Sequence, residues 1–180
     1  MKLKKYHKIV IAADGSAASG KTTGAKKISK KYGLQFLSSG LLYRYASYQL
    51  LIHRPKNKIS FLKKCFENLN LKQLNHKNLH SPEISAYTSI IAKEKKIRNI
   101  LKTFQKKFAK RHNKVCIEGR DIGTVILPKA DIKFFFKCGL DVAAKRRFKE
   151  LRKTNRNIKL VEVKKAMRIR DNLDKKRKNS

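Results

Sequence analysis

The sequence predicts an α/β domain built on an open parallel sheet, and three observations carry that reading. A continuous β-prone apolar run at 8–13 ends in Asp14 and a loop of small residues; a helical stretch follows; two further apolar runs, 115–118 and 132–137, return after a long helical section. Strands that alternate with helices pair in parallel, because each crossover brings the chain back in the same direction. Ligands of such sheets gather at the carboxyl ends of the strands.

In order along the chain, the strand at 8–13 leads into a helix over 21–32, which Gly33 stops because glycine takes the left-handed conformation of a helix C-terminus. Residues 35–37 form a second short strand and 40–52 a second helix. From 55 to 113 no strand pattern is present. Instead Ile84, Tyr87, Ile91, Ile97, Ile100, Leu101, Phe104 and Phe108 recur at helical spacing, so the stretch reads as a small helical insertion beside the sheet. The strands at 115–118 and 132–137 are joined by a loop holding Gly119, Gly123 and Pro128, and helices are expected over 141–155 and 160–176. A single domain accounts for the whole: a core at 8–54 and 114–140, the insertion at about 55–113, and a helical region at about 141–177.

Composition narrows the classes. The 180 residues are 41% hydrophobic, enough for one core. No run approaches the ~20 apolar residues of a membrane span, and the basic start at 1–8 meets only a short apolar run before Asp14, so neither a membrane partner nor a signal peptide is expected. Cys65, Cys116 and Cys138 are odd in number, far apart and without C-x-x-C spacing, which points to a reducing cytoplasm and no disulfide. The net charge of +35 admits two readings. Lysine spread from end to end, with many Asn and Ile, resembles the drift of an A+T-rich genome. A nucleic-acid surface is the other reading, but aromatic residues do not interleave with the basic ones in a base-stacking pattern.

The chemistry begins at Gly15-Ser-Ala-Ala-Ser-Gly20-Lys21-Thr22, a match to G-x-x-x-x-G-K-[ST] between a strand and a helix. The glycines let main-chain N–H groups curl around phosphate, and the helix adds the positive end of its dipole. Gly15, Ser16, Ala17, Ala18, Ser19, Gly20, Lys21, Thr22 and Thr23 are therefore expected at the donor nucleotide, with Lys21 bridging β- and γ-phosphates and the Thr22 hydroxyl on Mg²⁺. No N-K-x-D element of a GTPase is present, and the chain is small for a motor ATPase.

The second strand ends in Ser38-Ser39-Gly40, followed by Tyr43-Arg44. A strand's carboxyl end that runs into a helix N-terminus is an anion site, so Arg44 is expected to grip an acceptor phosphate, with Ser39, Gly40 and Tyr43 around it. Gly119-Arg120-Asp121-Ile122-Gly123-Thr124 follows the third strand, where Arg120 can supply charge to phosphates and Asp121 can accept from a base or hold metal-bound water; a mutual ion pair is the alternative. On a helical wheel Leu160, Val163 and Met167 form one apolar stripe that Arg170, Asp174 and Arg177 continue. Charged residues thus replace core residues along one face. Arg146 and Arg147 on the preceding helix are expected to approach the donor phosphates.

These segments, above all Glu118-Gly-Arg-Asp-Ile-Gly-Thr-Val125 and Arg170-Asp171-Asn-Leu-Asp174-Lys-Lys-Arg177, resemble the bacterial cytidylate kinases over well over half of the chain. The resemblance implies a three-layer P-loop kinase fold whose insertion binds the monophosphate and whose helical region is a lid. It also implies ATP with Mg²⁺ as donor, CMP or dCMP as acceptor, and Lys21, Arg120 and Arg177 as the catalytic residues. Arg44 and Arg120 are implied to hold the acceptor phosphate; Ser89, Arg98 and Asp121 to read cytosine; Arg170, Asp174 and Arg177 to serve ribose and phosphates; and Gly119 is counted with the substrate-binding residues. A monomer without a specific nucleic-acid partner is expected, and the competing reading is a basic P-loop nucleotide-binding protein acting on RNA or the ribosome. The pattern departs from the family's in three places. Ser38 stands where an Asp is usual, leaving Asp14 or Asp121 to hold metal-bound water. The insertion is short and lacks strands, and the family's final strand and helix lie beyond Ser180, so either a tail follows or the sheet is reduced.

Overall fold

The computed structural model describes residues 8–153 and 156–175; in its last helix the side chains of 170 and 173–175 fall outside that description. The chain divides into two compact units, one formed by Met1–Leu37 with Asn113–Ser180 and one by Ser38–His112.

The first unit holds a four-stranded sheet, β1 (Ile9–Gly15), β2 (Gln35–Ser38), β3 (Lys114–Gly119) and β4 (Ile132–Phe136), in the order β2-β3-β1-β4. β1 pairs in parallel with both β3 and β4. Central position explains its continuous run of apolar residues, with Ile11, Ala12 and Ala13 buried. Helix α1 (Lys21–Tyr32) packs on β1 and β3 and stops where expected: Gly33 sits at φ 64° and returns its N–H to the Ser29 carbonyl. Ile11, Ala13, Ala25, Leu34 and Cys116 form the core beneath it, with Phe136 packed against them. A Cβ on Gly24 of α1 would lie 2.4 Å from the Phe136 ring, so a larger residue there would have to displace that ring. Helices α6 (Leu140–Arg152) and α7 (Leu160–Lys175) pack together through Ala143, Ala144, Val163 and Met167, so two residues of the apolar stripe read from the sequence are buried and the third, Leu160, is half-buried beside them. A Lys164–Asp141 ion pair ties the same two helices, and it holds the Asp141 carboxyl below its usual range.

The second unit is helical throughout: α2 (Ser39–His53), α3 (Lys58–Glu67), α4 (Pro82–Ile91) and α5 (Lys95–Arg111), with two short 3₁₀ turns between α3 and α4. Its helix starts are written locally. Asn57, Ser81 and Ser38 each accept a main-chain N–H from the first turn they precede, and Pro82 occupies the first position of α4, where no N–H is needed. Ile84, Ile91, Ile97, Leu101 and Phe108 are buried, as their helical spacing predicts. Helix α2, expected with the sheet, groups with these helices instead because Leu42, Tyr45, Ala46 and Leu50 bury against them. No described helix is long and apolar enough to cross a membrane.

Candidate active site

The parallel register sets the site of the first unit. Asp14 of β1 is level with Gly119 of β3, and Gly15 with Phe136 of β4, so the loops that leave these strands emerge side by side. From β1 comes the loop 15–20. A Cβ on Gly15 would stand 2.5 Å from the Phe136 carbonyl and 2.9 Å from Ser19 Oγ, so only glycine fits. Ala18 and Gly20 both take left-handed backbone conformations, φ 55° and 88°, curling the chain around a hollow. For Ala18 that conformation costs on the order of 1 kcal/mol. The amides at the start of α1 receive no side-chain cap, and the first turn carries no acid. Ser19 Oγ is buried without a hydrogen-bond partner. Buried polar groups are otherwise satisfied in folded proteins, so an uncapped helix start beside an orphaned hydroxyl is a cradle shaped for an oxyanion. Lys21 Nζ bends back over it and donates to the Ser16 carbonyl at 3.1 Å. Thr22 and Thr23 are exposed at the first turn.

Beyond β3, Gly119-Arg120-Asp121 leads into a π-helical turn, Ile122–Ile126, where the sequence predicts a plain loop. Such turns are frequent at functional sites. Asp14 holds this one: its two carboxylate oxygens accept the N–H groups of Ile122 and Gly123 at 2.8 and 2.7 Å. Burial raises the Asp14 carboxyl above its usual range, opposed by the Gly123 and Ile122 amides. Asp14, one of two candidates for metal-bound water, is thus the organiser of the turn. Arg120 forms an ion pair with Asp171 of α7, Nη1 to Oδ1 3.5 Å. Arg146 Nη1 comes within 3.8 Å of where a Cβ on Gly20 would sit, placing that guanidinium against the loop 15–20. Arg147, expected beside it, instead pairs with Glu150 at 2.9 Å, because neighbouring helix positions point about 100° apart.

In the second unit Ser38 caps α2 through its hydroxyl, accepting from the Leu41 N–H at 3.3 Å, so a serine fills structurally the cap position that an aspartate also favours. Arg44 is half-buried and anchored twice through Nη1, to the Leu79 carbonyl at 2.7 Å and to Ser85 Oγ at 2.8 Å. Ser47 Oγ and Thr88 Oγ1, 2.9 Å apart, join α2 to α4 one turn further on. Ser39 is buried, Gly40 exposed and Tyr43 half-buried on the same helix. Ser89 is exposed on α4, its hydroxyl donating to the Ser85 carbonyl, and Arg98 is half-buried on α5. Leu79 and Ser85, which fix Arg44, carry no signal in the sequence, because no spacing rule marks a partner 35 or 41 residues away. Arg177 and the side chains of Arg170 and Asp174 lie outside the described residues.

A family model described as cytidylate kinase matches residues 11–180. The chain belongs to the cytidylate kinase family. A cytidylate kinase from Bartonella tribocorum is 40% identical over 176 residues, covering 95% of this chain and 80% of its own length; one from Thermosipho melanesiensis is 36% identical, with coverages of 93% and 81%. The solved structure of an uncharacterized protein from Eubacterium ventriosum aligns with a TM-score of 0.51 at 16% identity, over 93% of this chain and 76% of that one, which shows the fold alone. Cytidylate kinases are enzymes that phosphorylate CMP or dCMP, with ATP as phosphate donor, so this chain is a phosphotransferase and the reading as an RNA-directed nucleotide switch is not favoured.

Mg²⁺, the usual companion of ATP, takes oxygen ligands and keeps several waters. Thr22 offers one exposed hydroxyl at the start of α1, and among the described residues no three His, Cys, Asp or Glu side chains cluster into a protein cage. One hydroxyl, completed by phosphate oxygens and water, is a donor set that fits this ion.

Proposed function

We propose that the enzyme transfers the γ-phosphoryl group of Mg-ATP to CMP or dCMP with the residues described above, each in a distinct role. The observation that carries this is the phosphate cradle of the first unit, with its uncapped α1 start, buried Ser19 hydroxyl and overlying Lys21. Main-chain amides of 15–22 hold the donor phosphates; Lys21 neutralises charge that moves toward the β–γ bridge; Arg146 supplies a further cation against Gly20. Thr22 would hold Mg²⁺, which when bound would supply positive charge to the donor phosphates. The acceptor phosphate is already anionic at neutral pH, so no general base is required and catalysis reduces to alignment and charge neutralisation.

Arg44 and Arg120 are the proposed grips on the acceptor phosphate, and Arg177, with Arg170 and Asp174, is proposed to complete the ribose and phosphate contacts. The two anchors on Arg44 favour this role, since a long side chain already fixed loses little entropy when it binds. Cytosine presents an N4 donor beside N3 and O2 acceptors. Asp121 is proposed to accept from N4 and Arg98 to donate to N3 and O2, and Ser89 to serve as a further cytosine ligand. Closure of α6 and α7 after both substrates bind would keep water from the phosphoryl group. A monomer supplies every group named, and the free thiols of Cys65, Cys116 and Cys138 suit a reducing cytoplasm.

The direct test is ADP release in the presence of ATP, Mg²⁺ and a panel of nucleoside monophosphates. Turnover with CMP or dCMP well above that with UMP, AMP or no acceptor is the expected result; equal turnover without any acceptor would overturn the assignment.

A further inference from the structure

The ion pair between Arg120 and Asp171 has no part in the roles assigned so far. Nη1 of Arg120 lies 3.5 Å from Oδ1 of Asp171, and the two side chains are only 20% and 24% exposed, so neither is a freely solvated surface charge. Both partners are delivered by rigid neighbours. Asp171 is one turn beyond Met167, itself one turn beyond Val163, and those two residues are buried against α6. The packed face of α7 therefore aims the carboxylate. Arg120 precedes the π-helical turn that Asp14 pins through Ile122 and Gly123, so its main chain is fixed as well. A long, flexible arginine stem is held at its base by one buried network and at its tip by a carboxylate from another element. The contact runs from Nη1 of a planar group that carries five N–H donors, so the carboxylate bears directly on how the guanidinium is turned.

We propose that Asp171 is a positioning residue for acceptor binding: it orients the Arg120 guanidinium toward the acceptor phosphate and links that grip to the lid helix α7. The proposal rests on the reading of Arg120 as a phosphate ligand. Its sign is opposite to that of simple electrostatics. A carboxylate near a dianion site repels the ligand, so if charge alone mattered, neutralising Asp171 would tighten acceptor binding. Orientation works the other way, because a guanidinium released to sample several rotamers pays its ordering entropy when the phosphate arrives.

The experiment compares Asp171→Asn, Asp171→Glu, Arg120→Met and the Arg120→Met/Asp171→Asn double variant in the full chain. KM and kcat are measured for CMP, KM for ATP, and melting is followed by circular dichroism. Asp171→Asn is expected to raise KM for CMP roughly tenfold, about the worth of one charge-assisted hydrogen bond, with a smaller change in kcat and little change in KM for ATP. Asp171→Glu, which restores the carboxylate, should recover part of the loss, and Asp171→Asn should add nothing in the Arg120→Met background. Should Asp171→Asn not fold, Asp171→Ser is a second neutral variant that makes the same comparison. An unchanged or lowered KM for CMP in the neutral variant, with Arg120→Met raising it, overturns the positioning role alone. An unchanged KM in Arg120→Met overturns the phosphate-ligand reading on which it stands.

Discussion

Asp14 Oδ2 accepts the main-chain N–H of Gly123 at 2.7 Å, a bond that joins the strand feeding the phosphate cradle to the turn that carries Arg120 and Asp121. Parallel register makes it possible: Asp14 lies level with Gly119, and the chain then turns back over the strand end, where the second oxygen takes the Ile122 N–H. The strand that leads into loop 15–20 and the π-helical turn of the first unit are thereby joined through one carboxylate.

Asp14→Asn should loosen both loops. An amide can accept one of the two N–H groups but sets its own NH₂ against the other, and an unsatisfied buried donor costs about 1–3 kcal/mol. A melting temperature lower by about 2–4 °C for each kcal/mol is expected by calorimetry, with kcat reduced as well. The pH dependence has a definite sign. Because burial raises the Asp14 carboxyl above 3.8 in the folded chain, the folded state binds the proton more tightly than the unfolded one. The wild type therefore gains stability relative to Asp14→Asn as pH falls through the interval above 3.8. Parallel pH series of urea melts would show the gap widening toward acid; a gap that narrows contradicts the assignment.

Lys21→Ala should leave the melting transition nearly unchanged, since the ammonium lies over the loop and not in a core, while phosphoryl transfer falls by at least about a hundredfold. A coupled ADP assay beside a thermal melt separates the two effects. Near-normal turnover would remove Lys21 from the mechanism.

Gly15→Ala should act in the opposite way, through structure. Its Cβ would meet the Phe136 main-chain oxygen at 2.5 Å, and backbone cannot swing aside as a side-chain end can. A loss of about 1–3 kcal/mol is expected, with β1 and β4 pushed apart where the cradle begins. Denaturant unfolding and ATP affinity should both report it.

Arg98→Met and Arg44→Met should differ in kind. If Arg98 donates to N3 and O2 of cytosine, CMP should exceed UMP by at least roughly tenfold in kcat/KM, and Arg98→Met should erase most of that ratio. Arg44→Met should depress both substrates alike, because phosphate carries no base information, and should also lower the melting temperature, since the carbonyl of buried Leu79 loses its guanidinium donor. Measured ratios for both variants decide the matter; an unchanged CMP-to-UMP ratio in Arg98→Met removes it from base recognition.

Much of this molecule is written in local chemistry. The burial of Val163 and Met167, the stop at Gly33, the strand at β1 and the glycine-rich turn between β1 and α1 all follow from spacing within a few residues, because helix and strand periods and turn conformations are properties of short segments. The sequence by itself therefore determined the alternation of strands and helices in the first unit, the glycine-rich turn that opens α1 and the helical character of the stretch from 55 to 113. Only the tertiary structure decided what the charged side chains touch. Asp14 finds its partners 108 and 109 residues away, Arg120 finds Asp171 at a separation of 51, and Arg44 finds Leu79 and Ser85 at 35 and 41. Such pairings depend on strand register and on which helix faces bury together, and those are fixed by the packing of the whole core, where no periodicity along the chain records them.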